Sequence, residues 1–407
     1  MISFAKKKLS PGDFAGDHVA QLAALDVRVH LAFDMAWAST REQLSRLVES
    51  YMRIVYAVPE HRKFVHSGYP SEPVLAEAAA QLLNRTDTEE TSNRANIATL
   101  GPEILQRADN SRYLTRGERG EMVGRLLMTI AHDSAISRTN PKSAVMFHKP
   151  VKLLDFLRQL FHPKYHQTLL NAHPVNALTG SSSLEAVFQD AYISFSHFAL
   201  AGDTAVIKLN LLYLTLLRGM AYQCAPHQTS IDLIGAIHFG NPATTEITEA
   251  NTSVLQVQIK NRVQTIEPQN VFVNPVVAAP RDNKPVISLF LELGSDKSSV
   301  HVVSGRQVAT RSRAPRPNDC HYLIVAYGCS SETFSAIPEQ CDGTYQRLLN
   351  ATQILDDFPR KNEPSNLGHA RRQKAVFYNM EECVDWRGLL FGQEPEEVTS
   401  QQNSNKK

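Results

Sequence analysis

Cysteine is scarce in this 407-residue sequence. There are five, Cys224, Cys320, Cys329, Cys341 and Cys383. The number is odd and no pair has C-x-x-C spacing, so a disulfide framework or cysteine zinc site is not expected and a reducing interior is. No apolar run is long enough to span a bilayer. The segment Met1 to Lys8 is basic but has no apolar stretch behind it, so no secretory signal is expected there. An excess of one charge is missing too. The formal net charge is +1, so any polyanion partner must be met by a local basic patch rather than by bulk charge. No G-x-x-x-x-G-K-[ST] loop exists, and Gly180-Ser181-Ser182-Ser183 lacks the lysine that reaches phosphate. Neither a G-x-G-x-x-G after a strand nor a G-x-S-x-G elbow is present. An intracellular protein, nuclear or cytoplasmic, is the expectation these absences leave, with neither ATPase nor serine-hydrolase chemistry.

Hydrophobic residues make up 43% of the chain and charged ones 20%, the balance of a folded protein with room for one large domain or two to three ordinary ones. The first third reads as helical. Val19 to Trp37 is rich in Ala, Leu and Val. Ser39 and Glu42 have capping-box spacing ahead of Leu44, Leu47, Val48, Tyr51, Ile54, Val55 and Val58, one helical face ended by Pro59. Ser71 and Pro73 open another helix, and Arg116 to Ile130 forms a further one. Helical patterns follow over Val151 to Leu170, Leu184 to Phe198 and Ala205 to Tyr222, the last read as a buried helix. After Gln223 the character changes to strands: Ile231 to His238, Val254 to Lys260, Val286 to Leu293 and Tyr322 to Tyr327. Gln264 to Pro285 reads as irregular and Thr344 to Phe358 as helix. The expected fold is α/β, a helical N-terminal region over 1–110 followed by a mixed-sheet core over 111–390. A polar tail over 391–407 is expected to be disordered.

The strand ending Leu255-Gln256-Val257-Gln258-Ile259-Lys260 puts Leu255, Val257 and Ile259 on one face and Gln256, Gln258 and Lys260 on the other. If it pairs with the strand carrying Asp232, then Asp232, Gln258 and Lys260 converge. A carboxylate and an amide oxygen suit Mg²⁺, the Ile259 carbonyl offers a third oxygen, and Lys260 could hold a water or neutralise charge on a phosphate. The competing reading of this polar row is a solvated edge strand guarded by lysine.

This Asp…Gln-x-Lys pattern resembles the PD-(D/E)xK nuclease superfamily, in its Mrr-like form with Gln in place of the second acid. The resemblance covers mainly residues 205–335. The whole chain is also similar to fungal proteins, some of which resemble the nuclease-like modules of crinkler-type effectors. It implies a restriction-endonuclease-like α/β/α core and Mg²⁺- or Mn²⁺-dependent hydrolysis of nucleic acid, with a DNA endonuclease as the first reading. It makes Asp232, Gln258 and the Ile259 carbonyl the metal ligands and Lys260 the catalytic lysine. It also implies a helix acid, for which Glu121 is the first candidate and Glu185 the second. The alternative is an inactive nuclease-like fold that binds nucleic acid or a host or cellular protein. A homodimer is compatible with either.

Arg262, Arg306, Arg311 and Arg313, with Arg316, are candidate phosphate contacts, and Arg371, Arg372 and Lys374 form a second basic group. Ordinary solvated loops explain them equally well. His162 and His166 have helical metal spacing, but Pro163 and the lack of an acidic partner speak against a site. Cys329, after a strand, is a candidate nucleophile, although a lone cysteine is more often a small buried hydrophobe.

Overall fold

The computed structural model describes residues 1–350, except 32, 34–37, 59, 61–64, 85–95, 110–113, 140–145, 176–180, 203–208, 226–227, 229, 263, 274–283 and 305–319. Helices α1 (Ile2–Leu9), α2 (His18–Val29) and α3 (Ala38–Ser50) precede a ribbon of β1 (Ile54–Ala57) and β2 (His66–Gly68). Helices α4 (Pro73–Leu83), α5 (Ile97–Asp109) and the long α6 (Arg116–Thr139) follow. Then come β3 (Val151–Lys152), α7 (Leu153–Leu160), α8 (His166–Leu170), α9 (Leu184–Phe188), β4 (Ala191–Ile193) and β5 (His197–Leu200). The last third holds α10 (Leu209–Arg218), β6 (Met220–Gln223), β7 (Leu233–Phe239), β8 (Thr252–Lys260), β9 (Val286–Glu292), β10 (Ser299–Val303), β11 (His321–Tyr327) and α11 (Asp342–Asn350).

The fold is α/β around a mixed nine-stranded sheet, ordered β10-β11-β9-β8-β7-β4-β3, with β6 also on β7 and β5 on β6. Strands β7 and β8 are antiparallel, while β8, β9 and β11 run parallel. Every residue of β9 and of β11 is buried, as near-continuous apolar runs require when both faces are covered. On one face, Leu255, Val257 and Ile259 of β8 join the large core beneath the helices; on the other, Ile234, Ala236 and Val254 pack with Leu212 of α10.

Residues Met1–Ala351 form one compact unit, so the packing does not break near residue 110. The N-terminal helices are tied in by a buried ion pair. Arg28 of α2 grips Asp133 of α6 at 2.7 and 3.1 Å and also donates to the Ser196 carbonyl, while Asn84 donates to Asp133 at 2.7 Å. Residues 351–407 lie outside the described residues, and with them the end of the expected core, the tail and the Arg371–Lys374 group.

Three helical expectations are corrected. The run from Ser39 to Val58 is helical only to Ser50, after which Met52 turns the chain at φ 66° and Ile54–Ala57 is a strand. Its β-branched and aromatic residues favour a pleated conformation although their spacing also fits a helix. The run from Leu184 to Phe198 is helical only to Phe188 and then enters β4 and β5. The described part of the Ala205–Tyr222 run is helix from Leu209 to Arg218. Gly219, at φ 55°, ends it and Met220–Gln223 is a strand. Helix α1, helix α5 and the short strands β3 and β10 were not anticipated.

Candidate active site

Strands β7 and β8 pair in the register Leu233↔Val257 through His238↔Thr252. Asp232 lies one residue beyond the end of that ladder. The Asp232 amide still donates to the Val257 carbonyl at 2.8 Å, and its carboxylate Oδ2 then accepts the Ile259 amide at 2.6 Å. The side chain has replaced the backbone acceptor that the next residue of β7 would have supplied. In β8, the Val257 carbonyl faces β7 and the Lys260 carbonyl faces β9, where it accepts from Leu293 at 2.8 Å. By this alternation the Ile259 carbonyl leaves the strand on the Asp232 side. Lys260 Nζ lies 3.9 Å from Asp232 Oδ2.

Helix α6 reaches this strand end because it carries glycine where it crosses β8. A Cβ on Gly124 would lie 2.4 Å from Ile259 Cδ1, and one on Gly120 would lie 2.7 Å from Asn261 Cβ. Glu121 sits between these two contacts. Burial raises its carboxyl pKa, and the charge on Asp232 raises it further, while Arg125 and Lys260 pull it back. Asp232 is likewise raised by burial, against Lys260, the Ile259 amide and Arg125. The fold thus brings together Glu121, Asp232, the Ile259 carbonyl and Lys260, with Gln258 next to Ile259 on β8. Among the described residues no hydrogen bond engages the half-exposed Gln258 amide.

The chain matches no family model, no curated protein and no solved structure. Its chemistry is therefore argued from the site alone.

Other candidates are placed differently. Arg262 is committed to Glu292, which it grips at 2.7, 2.9 and 3.1 Å. Glu292 is fully buried, and a buried carboxylate needs such a partner, so this guanidinium has a structural task while its side chain stays 36% exposed. Asn261 ties the end of β8 to both helices, donating to the Arg116 and Leu349 carbonyls at 2.9 and 3.0 Å. Arg306, Arg311, Arg313 and Arg316 lie outside the described residues. Glu185 is on α9, 3.6 Å from Arg158. His162 accepts from the Lys164 amide, and His166 bonds the Arg158 and Phe161 carbonyls, so both rings serve local structure. The Cys329 thiol is fully buried and burial pushes its pKa far up, which removes it as a nucleophile.

Two residues of the site were not anticipated. Arg125 follows Glu121 by one helical turn, a spacing visible in the sequence. Cys224 donates its amide to the Asp232 carbonyl at 2.8 Å, and its thiol pKa is raised by burial and by the charges on Asp232 and Glu121. Among the described residues no helix is long and apolar enough to cross a membrane.

Proposed function

We propose that this chain is a metal-dependent phosphodiesterase acting on nucleic acid, with DNA as the first substrate and a nuclease-like core carrying the chemistry. The observation that supports this most is the side-by-side placement of Asp232 and the Gln258-Ile259-Lys260 segment. The Asp232 carboxylate is fixed by the Ile259 amide, and Lys260 Nζ is 3.9 Å from it. Among the described residues no group of three or more His, Cys, Asp or Glu side chains could hold a metal ion by itself. The donor set that does fit is mixed and all oxygen: the Asp232 carboxylate, the Gln258 amide and the Ile259 carbonyl, with Glu121 nearby. Hard oxygen donors few enough to leave room for water suit Mg²⁺ or Mn²⁺. When bound, the ion would supply Lewis-acid polarisation of the phosphate and a more acidic water.

The chain's own residues do the rest. Asp232 and Glu121 supply negative charge where β7 begins and β8 ends, and Lys260 and Arg125 keep it from being a pure cation trap. Lys260 positions the attacking water and offsets charge that develops on the phosphate. A second reading, an inactive nuclease-like binding module, is favoured by the neutral Gln258, since one carboxylate fewer weakens a cation site.

The test is nicking of supercoiled plasmid with Mg²⁺ or Mn²⁺ by the parent chain beside Asp232→Ala and Lys260→Ala. The expected result is nicking by the parent alone, with all three proteins melting as folded chains. Lys260 is 36% exposed, so its loss should change stability by no more than about 0.5 kcal/mol. Equal cutting by the Lys260→Ala protein would defeat the assignment. Cutting by none, with no Mn²⁺-linked rise in melting temperature, would favour the binding module.

A further inference from the structure

The two ion pairs at this site are loose where others in the molecule are tight. Arg125 Nη1 lies 3.9 Å from Glu121, and Lys260 Nζ lies 3.9 Å from Asp232. Arg28–Asp133 and Arg262–Glu292 both close to 2.7 Å. Arg125 is itself 3% exposed. Its Nε donates to the Val29 carbonyl at 2.7 Å and its Nη2 to the His30 carbonyl at 3.3 Å. Its Nη1 is buried and has no hydrogen-bond partner among the described residues. A buried guanidinium donor left unpaired is costly, and this one is held by two backbone carbonyls so that it faces the Glu121 and Asp232 carboxylates. Burial lowers its pKa only to about 10, so it stays cationic at neutral pH. A fixed, desolvated cation with a spare donor, acting on Asp232 together with the partly exposed Lys260 ammonium, matches a tetrahedral oxyanion.

We infer that Arg125 is a phosphate-binding residue of this site, donating through Nη1 to a non-bridging phosphate oxygen, with Lys260 as the second cation. Glu121 shares the Arg125 charge and so competes with the phosphate. The inference deepens the phosphodiesterase reading and rests on the same site, but it does not require turnover.

The experiment is titration calorimetry of the full chain with inorganic phosphate in metal-free buffer, paired with fluorescence anisotropy of a labelled short DNA strand. The proteins are the parent, Arg125→Lys and Glu121→Gln, each checked for folding by its melting curve. Arg125→Lys keeps the charge but loses the spare donor, and it should weaken phosphate binding about tenfold, the loss expected of one charge-assisted hydrogen bond. Glu121→Gln should tighten it severalfold. A parallel loss in the DNA titration assigns the site to a backbone phosphate. A loss confined to the phosphate titration assigns it to the free anion. Either supports an oxyanion site at Arg125. Should Arg125→Lys not fold, the Glu121→Gln titration decides, and unchanged phosphate affinity there overturns the inference. So does phosphate binding that is absent or equal in parent and Arg125→Lys. Arg125-dependent phosphate binding without plasmid nicking would sink the nuclease reading and leave the anion site standing. Nicking without any Arg125 dependence of phosphate binding would do the reverse.

Discussion

Gly124→Ala tests whether close seating of α6 on β8 is what delivers Glu121 to Asp232. The added methyl would lie 2.4 Å from Ile259 Cδ1, 3.1 Å from Cγ1 and 3.7 Å from Cγ2. Comfortable carbon contacts are about 3.5–4.0 Å. Rotating Ile259 about its last torsion moves Cδ1 only. The Cγ1 contact remains unless the helix or the strand shifts by a few tenths of an ångström. Overpacking of this kind costs about 1–3 kcal/mol, and replacing a mid-helix glycine by alanine returns about 1 kcal/mol. The net expectation is a destabilisation of about 0–2 kcal/mol, together with lower nicking activity because Glu121 rides on the same turn. Ile259→Val removes the offending Cδ1 and alone should cost about 0.5–1.5 kcal/mol. In the double variant the new methyl fills the space that Cδ1 leaves, so the pair should couple favourably by about 1 kcal/mol or more, with activity recovered. Urea denaturation of all four proteins measures the cycle. If Gly124→Ala is more stable than the parent, and the double variant is additive to within about 0.5 kcal/mol, then α6 is not braced on Ile259 and the placement of Glu121 needs another cause.

Two further outcomes follow from the charges around the site. Arg262→Ala strands the fully buried Glu292 carboxylate and should destabilise the fold by about 3–5 kcal/mol. Adding Glu292→Gln should recover part of that in the same denaturation assay, and a loss below about 1 kcal/mol would mean the pair is not needed. Burial raises the folded-state pKa of Asp232, so the folded chain binds this proton more tightly than the unfolded one. That contribution to stability is fully present below the ordinary carboxyl pKa of about 3.9 and is lost as pH rises through the raised value. Asp232→Asn, which can still accept the Ile259 amide, should therefore melt higher than the parent at pH 7, with the difference closing towards pH 4. A variant that is less stable by the same amount at every pH would contradict the sign.

The sheet was legible where the chain is least ambiguous. Val286 to Leu293 and His321 to Tyr327 are apolar on both faces, and only a strand covered on both sides satisfies that in so few residues. The short strands β4, β5 and β6 were hidden because β4 and β6 each follow a helix with little punctuation and β5 follows β4 after three residues. Gly219 and its left-handed turn are the one clear mark. Their side chains, Tyr192, Ile193, Phe198 and Tyr222 among them, fit either period over three or four residues. What decides for strand is the neighbour: β7 accepts β4 on one part of its edge and β6 on the other, a fact no local window contains.

The site divides along the same line. Asp232 and Lys260 were legible because period-2 alternation and antiparallel pairing are nearly enough to place them, and Lys260 Nζ lies 3.9 Å from Asp232 Oδ2 although the paired register ends one residue short of Asp232. Glu121 lies 111 residues from Asp232 in the chain. Its arrival depends on glycines at 120 and 124 that let a helix touch the strand, which pattern alone does not reveal. The structural task of Arg262 was hidden for a physical reason: an arginine just past a strand end looks only solvent-facing until Glu292 is seen to be buried beneath it. Arg125 was missed for the opposite reason, since an i, i+4 Glu–Arg pair usually marks a solvated helix face. Here the arginine is buried and the pair does not close. A surface pair of that spacing would shorten whenever its side chains sampled the bonded geometry. This one is held apart by the Val29 and His30 carbonyls that fix the guanidinium from behind. The gap between Arg125 and Glu121 is thus imposed by the fold, and the donor it leaves over is the feature from which the chemistry of the site is best pursued.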